Sequence, residues 1–142
     1  MIRYLLDSNI VSEPARQRPA PQVQARYVSH AQEMAMPSVV WHELLYGLER
    51  MPTGRRRDFL AHYLLDVVRP AMPVLPFDTA AAEWLARQRA RLEAQGQPRP
   101  ALDGMVAAVA ATRGLILVTR NTGDFAGYDS LHVENWFEGG DG

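Results

Sequence analysis

Residues 101–125 read ALDGMVAAVAATRGLILVTRNTGDF, and this stretch decides the fold. Its first part is a small-residue helix that Gly114 stops. LILVT (115–119) follows at once and is the clearest strand in the chain. A short run that is apolar at every position, rather than at alternate ones, is a strand buried on both faces. Directly after it comes the polar turn RNTGDF, which carries an acid. Helix, buried strand and acid-bearing turn in that order make one step of an alternating α/β chain.

The same alternation continues toward both ends. IRYLL (2–6) predicts a strand, followed by a helical turn that ends near Pro14 and a loop, RQRPAP (16–21). A helix over 21–32 leads to a second strand in EMAMP (33–37). Ser38 is placed to cap the next helix, with Val40, Leu44, Leu45 and Leu48 on its apolar side. MPTG (51–54) breaks that helix. Thr53 then starts another, carrying Phe59, Leu60, Tyr63, Leu64 and Val67. MPVLPF (72–77) predicts a third strand. Asp78 caps the helix TAAAEWLARQRARLEAQ (79–95), which Gly96 and Pro98 end. HVEN (132–135) is a weak last strand. Short apolar strands alternating with amphipathic helices imply an α/β protein of three layers. A central parallel sheet of about four to five short strands is expected, flanked by helices, in a single domain over 1–142.

Composition narrows the classes. The 142 residues are 47% apolar, enough for a real core. No apolar run reaches the ~18 residues of a membrane span, and MIRYLLDSN lacks the pattern of a signal peptide. With no cysteine there is no disulfide, thiolate metal site or Cys nucleophile. These features predict a cytoplasmic protein. Net charge is −1, so a nucleic-acid partner has to be held by local basic patches.

Four acids carry the chemistry: Asp7, Glu43, Asp103 and Asp124. In an open parallel sheet, sites form at the carboxyl ends of the strands. Asp7 follows the first strand, and Asp124 follows LILVT. Glu43 lies early in the helix after the second strand, and Asp103 early in the helix before LILVT. All four therefore point toward one edge. Converging carboxylates repel unless a cation neutralises them, and the hard ions Mg²⁺ or Mn²⁺ suit oxygen donors. Each acid also has a plain structural reading. Asp7 serves as a helix cap, Glu43 as a solvated helix residue, Asp103 as a first-turn dipole partner and Asp124 as the end of an Asx-turn.

The blocks LLDSNIVSE, WHELLYGLE and LDGMVAAVAATRGLILVTRNTGDF together resemble the PIN-domain ribonucleases. They are similar in particular to the toxin half of VapBC-type toxin–antitoxin pairs, and VSEPAR, GRRRDFL, VLPFD and the final NW point to its FitB-like branch. The resemblance covers essentially the whole chain in order. It implies a PIN fold, a Mg²⁺ or Mn²⁺ site, RNA as substrate, a small VapB-type antitoxin, and a homodimer that forms a heterotetramer or larger assembly with that antitoxin. Residue by residue, the family's acidic site maps onto Asp7, Glu43, Asp103 and Asp124. Some relatives carry an acid where this chain has Asn121, so either Asn121 or Asp124 is nearest the metal.

The expected roles follow from phosphodiester hydrolysis, which needs an activated water, in-line attack and charge neutralisation. Asp7 is the expected central ligand, completed by Asp103 and Asp124, with Glu43 holding a water or a second ion. Ser8 and Asn9 are expected to fix the Asp7 carboxylate, and Thr119 and Asn121 to support Asp124. His30, His42, His62 and His132 form no zinc or His-pair ribonuclease spacing, so 5′-phosphate and 3′-hydroxyl ends are expected. No GxSxG elbow or P-loop is present. Arg99 and Arg120 flank the acids and are the RNA-binding candidates. Arg55, Arg56, Arg57, Arg87, Arg89 and Arg91 read as solvated helix faces. Trp41, Trp84 and Trp136 read as packing residues rather than base-stacking platforms. A PIN-fold nuclease acting in RNA processing or on DNA shares every site residue, and a silent binding module remains a third reading.

Overall fold

A computed structural model of the chain describes residues 1–138, so the last four residues of the expected domain lie outside the described residues. Five strands form one parallel sheet in the order β3-β2-β1-β4-β5. They are β1 (Tyr4–Leu6), β2 (Met34–Pro37), β3 (Val74–Leu75), β4 (Ile116–Val118) and β5 (His132–Glu134). Leu5 is paired with Ala35 on one side and with Leu117 on the other. Leu5, Leu6, Ala35, Met36, Leu117 and Val118 are fully buried, as continuous apolar strands covered on both faces must be.

The helices explain that covering. They are α1 (Ser8–Val11), α2 (Pro21–Ser29), α3 (Ser38–Glu49), α4 (Arg55–His62), α5 (Arg69–Ala71), α6 (Thr79–Ala94) and α7 (Ala101–Thr112). A π-helical stretch, Tyr63–Val68, joins α4 to α5. Residues Val106–Ala110 of α7 are all buried. Only small side chains let a helix be enclosed so closely. Gly104 shows the limit, because a Cβ there would meet Leu85 Cδ1 at 2.8 Å and the Tyr128 hydroxyl at 3.3 Å. Gly114 ends the helix at φ +66°, the left-handed conformation a C-terminal glycine supplies. Trp136 is 1% exposed and packs against Tyr4 and His30, so it belongs to the core.

Several local expectations are corrected. Asp78 does cap α6, accepting from the Ala81 amide at 3.0 Å. Ser38 does not cap α3: it is the first helical residue, and Pro37 at the cap position makes no side-chain bond. The helix after MPTG starts at Arg55 behind Gly54, not at Thr53. The helix expected over 21–32 ends at Ser29. Leu44 and Leu45 are half-buried, and Leu44 lines an open groove while packing against the core.

Candidate active site at the carboxyl edge of the sheet

The strand order reverses direction beside β1. From β1 the chain first builds β2 and β3 on one side, then returns to lay β4 and β5 on the other. Ligands in open parallel sheets bind outside the carboxyl ends of the strands at such a switch point. Asp7 follows β1 there, and Thr119 follows β4. The backbone joins the two, since the Asp7 amide donates to the Val118 carbonyl at 2.9 Å.

Asp7 is 8% exposed, and both of its oxygens are held. Oδ1 accepts from the Ser8 amide at 2.8 Å, and Oδ2 accepts from the Thr119 hydroxyl at 2.8 Å. It is thus both the cap of α1 and a buried acid. Thr119 is buried in turn, and its oxygen accepts from the Asn121 amide at 3.1 Å and the Asn9 side-chain amide at 3.4 Å. The Asn9 side-chain oxygen accepts from the Arg120 amide at 3.0 Å. Ser8 therefore supports Asp7 through its backbone. Asn9 acts one step removed, and Asn121 contributes its amide rather than its side chain. Thr119 serves Asp7, not Asp124 as expected.

Two tyrosines, Tyr27 and Tyr63, hold the same turn from behind. The Tyr27 hydroxyl donates to the Ile10 carbonyl at 2.9 Å, and the Tyr63 hydroxyl donates to the Val11 carbonyl. These are the open carbonyls at the end of α1, which a four-residue helix cannot satisfy itself. Burial pushes the Tyr63 hydroxyl up to about 12 and Tyr27 well above its ordinary value, so both remain donors at any physiological pH.

The other acids are looser. Glu43 on α3 and Asp103 on α7 are half-buried, and Asp124, on a 3-10 turn over Thr122–Phe125, is exposed. No side-chain hydrogen bond holds any of the three among the described residues. Charge nevertheless ties them together. Burial pushes the Asp7 carboxyl up, opposed by its hydrogen bonds to Thr119 and Ser8, and the charge of Asp124 raises it further. Burial likewise raises Glu43, helped by Asp7 and then Asp103. Burial also raises Asp103, helped by Asp7 and then Asp124. Every acid of the set thus repels at least one other, which is convergence seen as energy. Tyr128 joins the rim, where burial and then Asp103 raise its hydroxyl. No sequence signal marked it.

An all-oxygen, mutually repelling donor set fits a hard divalent cation. Among the described residues no three acids stand close enough to form a coordination shell by themselves. Mg²⁺ does not require one, since it usually keeps several waters and takes one or two carboxylates. Of the two arginine candidates, Arg99 is braced on the Ala126 carbonyl at 2.7 Å. Arg120 is exposed and lies 4.3 Å over the Phe137 ring.

Fold and acids together define a known class. The PIN domain family matches residues 4–131, and the chain belongs to that family. It is 35% identical to the tRNA(fMet)-specific endonuclease VapC of Shigella flexneri over 96% of this chain and 99% of that protein. Among solved structures, FitAcB from Neisseria gonorrhoeae is similar with a TM-score of 0.87 at 30% identity, covering 95% of this chain and 99% of that one. VapBC-5 from Mycobacterium tuberculosis, described as a member of the VapBC family of toxin–antitoxin systems, is similar with a TM-score of 0.70. Its identity is 27%, over 95% of this chain and 98% of that one. No helix among the described residues is long and apolar enough to cross a membrane.

Proposed function

We propose that this chain is a Mg²⁺- or Mn²⁺-assisted endoribonuclease and the toxin of a VapBC-type toxin–antitoxin pair. The observation that carries the reading is the buried, doubly hydrogen-bonded Asp7 at the switch point of the sheet, with Glu43, Asp103 and Asp124 on neighbouring elements. The Shigella relative's name as an endonuclease supports the activity, and its tRNA(fMet) is the first substrate to try. The toxin–antitoxin description of the Mycobacterium relative supports the partner.

Asp7, held rigidly, is the primary cation ligand, with Asp103 and Asp124 completing the site directly or through waters. A divalent ion bound there supplies charge neutralisation for the phosphate and a more acidic water. Glu43 would hold a cation-bound water or a second ion, and burial raises its carboxyl. Arg99 and Arg120 are the flanking contacts to RNA phosphates. Cleavage leaves 5′-phosphate and 3′-hydroxyl ends. A small antitoxin restrains the enzyme by laying a basic side chain near the carboxylates, and the toxin pairs with a second copy of itself.

The test is to express the wild type and Asp7→Asn chains and to sequence cleaved RNA ends. Metal-dependent cleavage by the wild type alone, with growth arrest relieved by the co-expressed antitoxin, is expected. Equal cleavage by purified Asp7→Asn overturns the site. Harmless expression of verified active enzyme overturns the toxin role.

A further inference from the structure

All fifteen basic residues of this chain are arginine. Three of them, Arg16, Arg18 and Arg56, line one open cavity of about 560 Å³ with Gln17 and no acid. A second cavity of about 310 Å³ shares Arg16 and Arg56 and is also lined by Glu43. The carboxylate of Glu43 feels Asp7 and Asp103. The two cavities share Arg16 and Arg56, so the guanidinium cluster adjoins the groove that Glu43 lines. Gly47 lies one turn beyond Glu43 on α3 and lines the second cavity, and a Cβ there would touch nothing within 4 Å.

The cluster is built, not incidental. The loop carrying Arg16 and Arg18 is tied down by Glu13, which is 3% exposed. Glu13 accepts from the Ala20 amide at 2.8 Å and pairs with Arg16 at 3.4 Å. Arg56 reaches across from α4 to the Ala15 carbonyl at 3.4 Å. The sequence places these arginines 40 residues apart (16 to 56) and gives no hint of their meeting. Of the three guanidiniums, only Arg16 pairs with a carboxylate, that of buried Glu13, among the described residues. Gathering like charge in a molecule of net charge −1 costs free energy unless an anion is recruited.

We infer that this cavity is a subsite for the RNA backbone, holding phosphates beyond the scissile one. The inference rests on the ribonuclease reading and adds the direction in which the substrate leaves the acid centre. Guanidinium forks match phosphate oxygens two at a time, which suits an all-arginine cluster. An acidic peptide is the weaker occupant, because only a phosphodiester can be carried past Glu43 by the divalent cation that the ribonuclease reading places among the acids. Contacts of this kind position the strand without reading its bases.

The test uses the full chain with single-stranded RNA, comparing wild type, Arg18→Ala, Arg56→Ala, the double variant and Arg69→Ala as a remote control. RNA affinity is read in an Asp7→Asn background to suppress cleavage, and KM and kcat in the active one. Each subsite variant should weaken RNA binding roughly 3- to 10-fold and lower the slope of log K against log salt by about 0.7 per lost phosphate contact. The catalytic effect should fall chiefly on KM, and Arg56→Lys should restore part of it. Unchanged binding and salt slope in the double variant, with the wild type still cleaving, overturn the subsite and leave the ribonuclease reading standing. Loss of antitoxin affinity with RNA binding intact overturns it in favour of a protein partner. A wild type that neither binds nor cleaves RNA overturns both.

Discussion

Asp7 and the other three acids differ in how they are held. Asp7 has two hydrogen bonds, a buried setting and a helical turn that two tyrosine hydroxyls hold from behind. Glu43, Asp103 and Asp124 hang from three separate elements with no side-chain bond among the described residues. Asp7 is a fixed point, an anchor, and the other three acids lack such restraint. A hydrated divalent ion, if bound there, would find one carboxylate that sets its position and three that could meet it directly or through waters.

The largest effect should come from breaking the anchor. Asp7→Asn should lower cleavage by at least about 10³-fold, equivalent to about 4 kcal/mol of activation free energy, while the protein stays folded. Single substitutions Asp103→Asn and Asp124→Asn should cost less. If Asp124→Asn proves as damaging as Asp7→Asn in single-turnover assays, the division between anchor and followers is wrong.

Metal binding sharpens the same contrast. Saturation at a hundred times Kd should stabilise the wild type by about 2.7 kcal/mol, a shift of several degrees in Tm. Asp7→Asn should start at least as stable in EDTA and gain little from Mg²⁺ or Mn²⁺. Equal shifts in both proteins would move the ion elsewhere and return Asp7 to a simple helix cap.

Thr119→Val tests the anchor's support without touching a charge. It removes a 2.8 Å hydrogen bond from a buried carboxylate and should cost about 1–3 kcal/mol of stability. Metal affinity should drop about 10- to 100-fold. Retention of wild-type metal affinity, measured by calorimetry, would show that Asp7 is positioned by Ser8 alone.

Stability against pH should report the repulsion itself. Asp7, Glu43 and Asp103 all have carboxyls raised by folding. The folded chain then keeps protons that the unfolded chain releases, so metal-free stability declines as pH rises from the ordinary carboxylate range through the raised values. Melts in EDTA should show this decline, saturating Mg²⁺ should cancel it, and Glu43→Gln should flatten it. A metal-free protein that gains stability across that range would contradict the convergence. The smallest effect belongs to Gly47→Ala. Alanine meets no neighbour there, so α3 should gain about 0.5–1 kcal/mol; a loss in urea unfolding would mean the groove is closed in solution.

The sheet, and the placement of Asp7 and Asp124 after its strands, were legible because both rest on local rules. A buried strand shows as an unbroken apolar run, and an acid directly after it lands at the carboxyl edge whatever else the chain does. Asp78 announced its cap for the same reason. What stayed hidden depends on distant meetings. Thr119 finds Asp7 across 112 residues, and Tyr63 finds Val11 across 52. Nothing near Arg16 or Arg18 in sequence predicts Arg56 beside them. Ser38 misled because a serine before an apolar run suits both the cap and the first turn, and Pro37 took the cap position.

The sheet's two edges carry a consequence for how this molecule meets others. β3 is two residues long, with Pro73 and Pro76 on either side, and β5 is three residues long. Proline offers no amide hydrogen, and so short a row of open backbone groups cannot template another strand. Among the described residues, association by strand addition, a common route to aggregation, is disfavoured at both edges. Partners must instead read side chains on the helices and grooves, where a binding surface can discriminate between one visitor and the next.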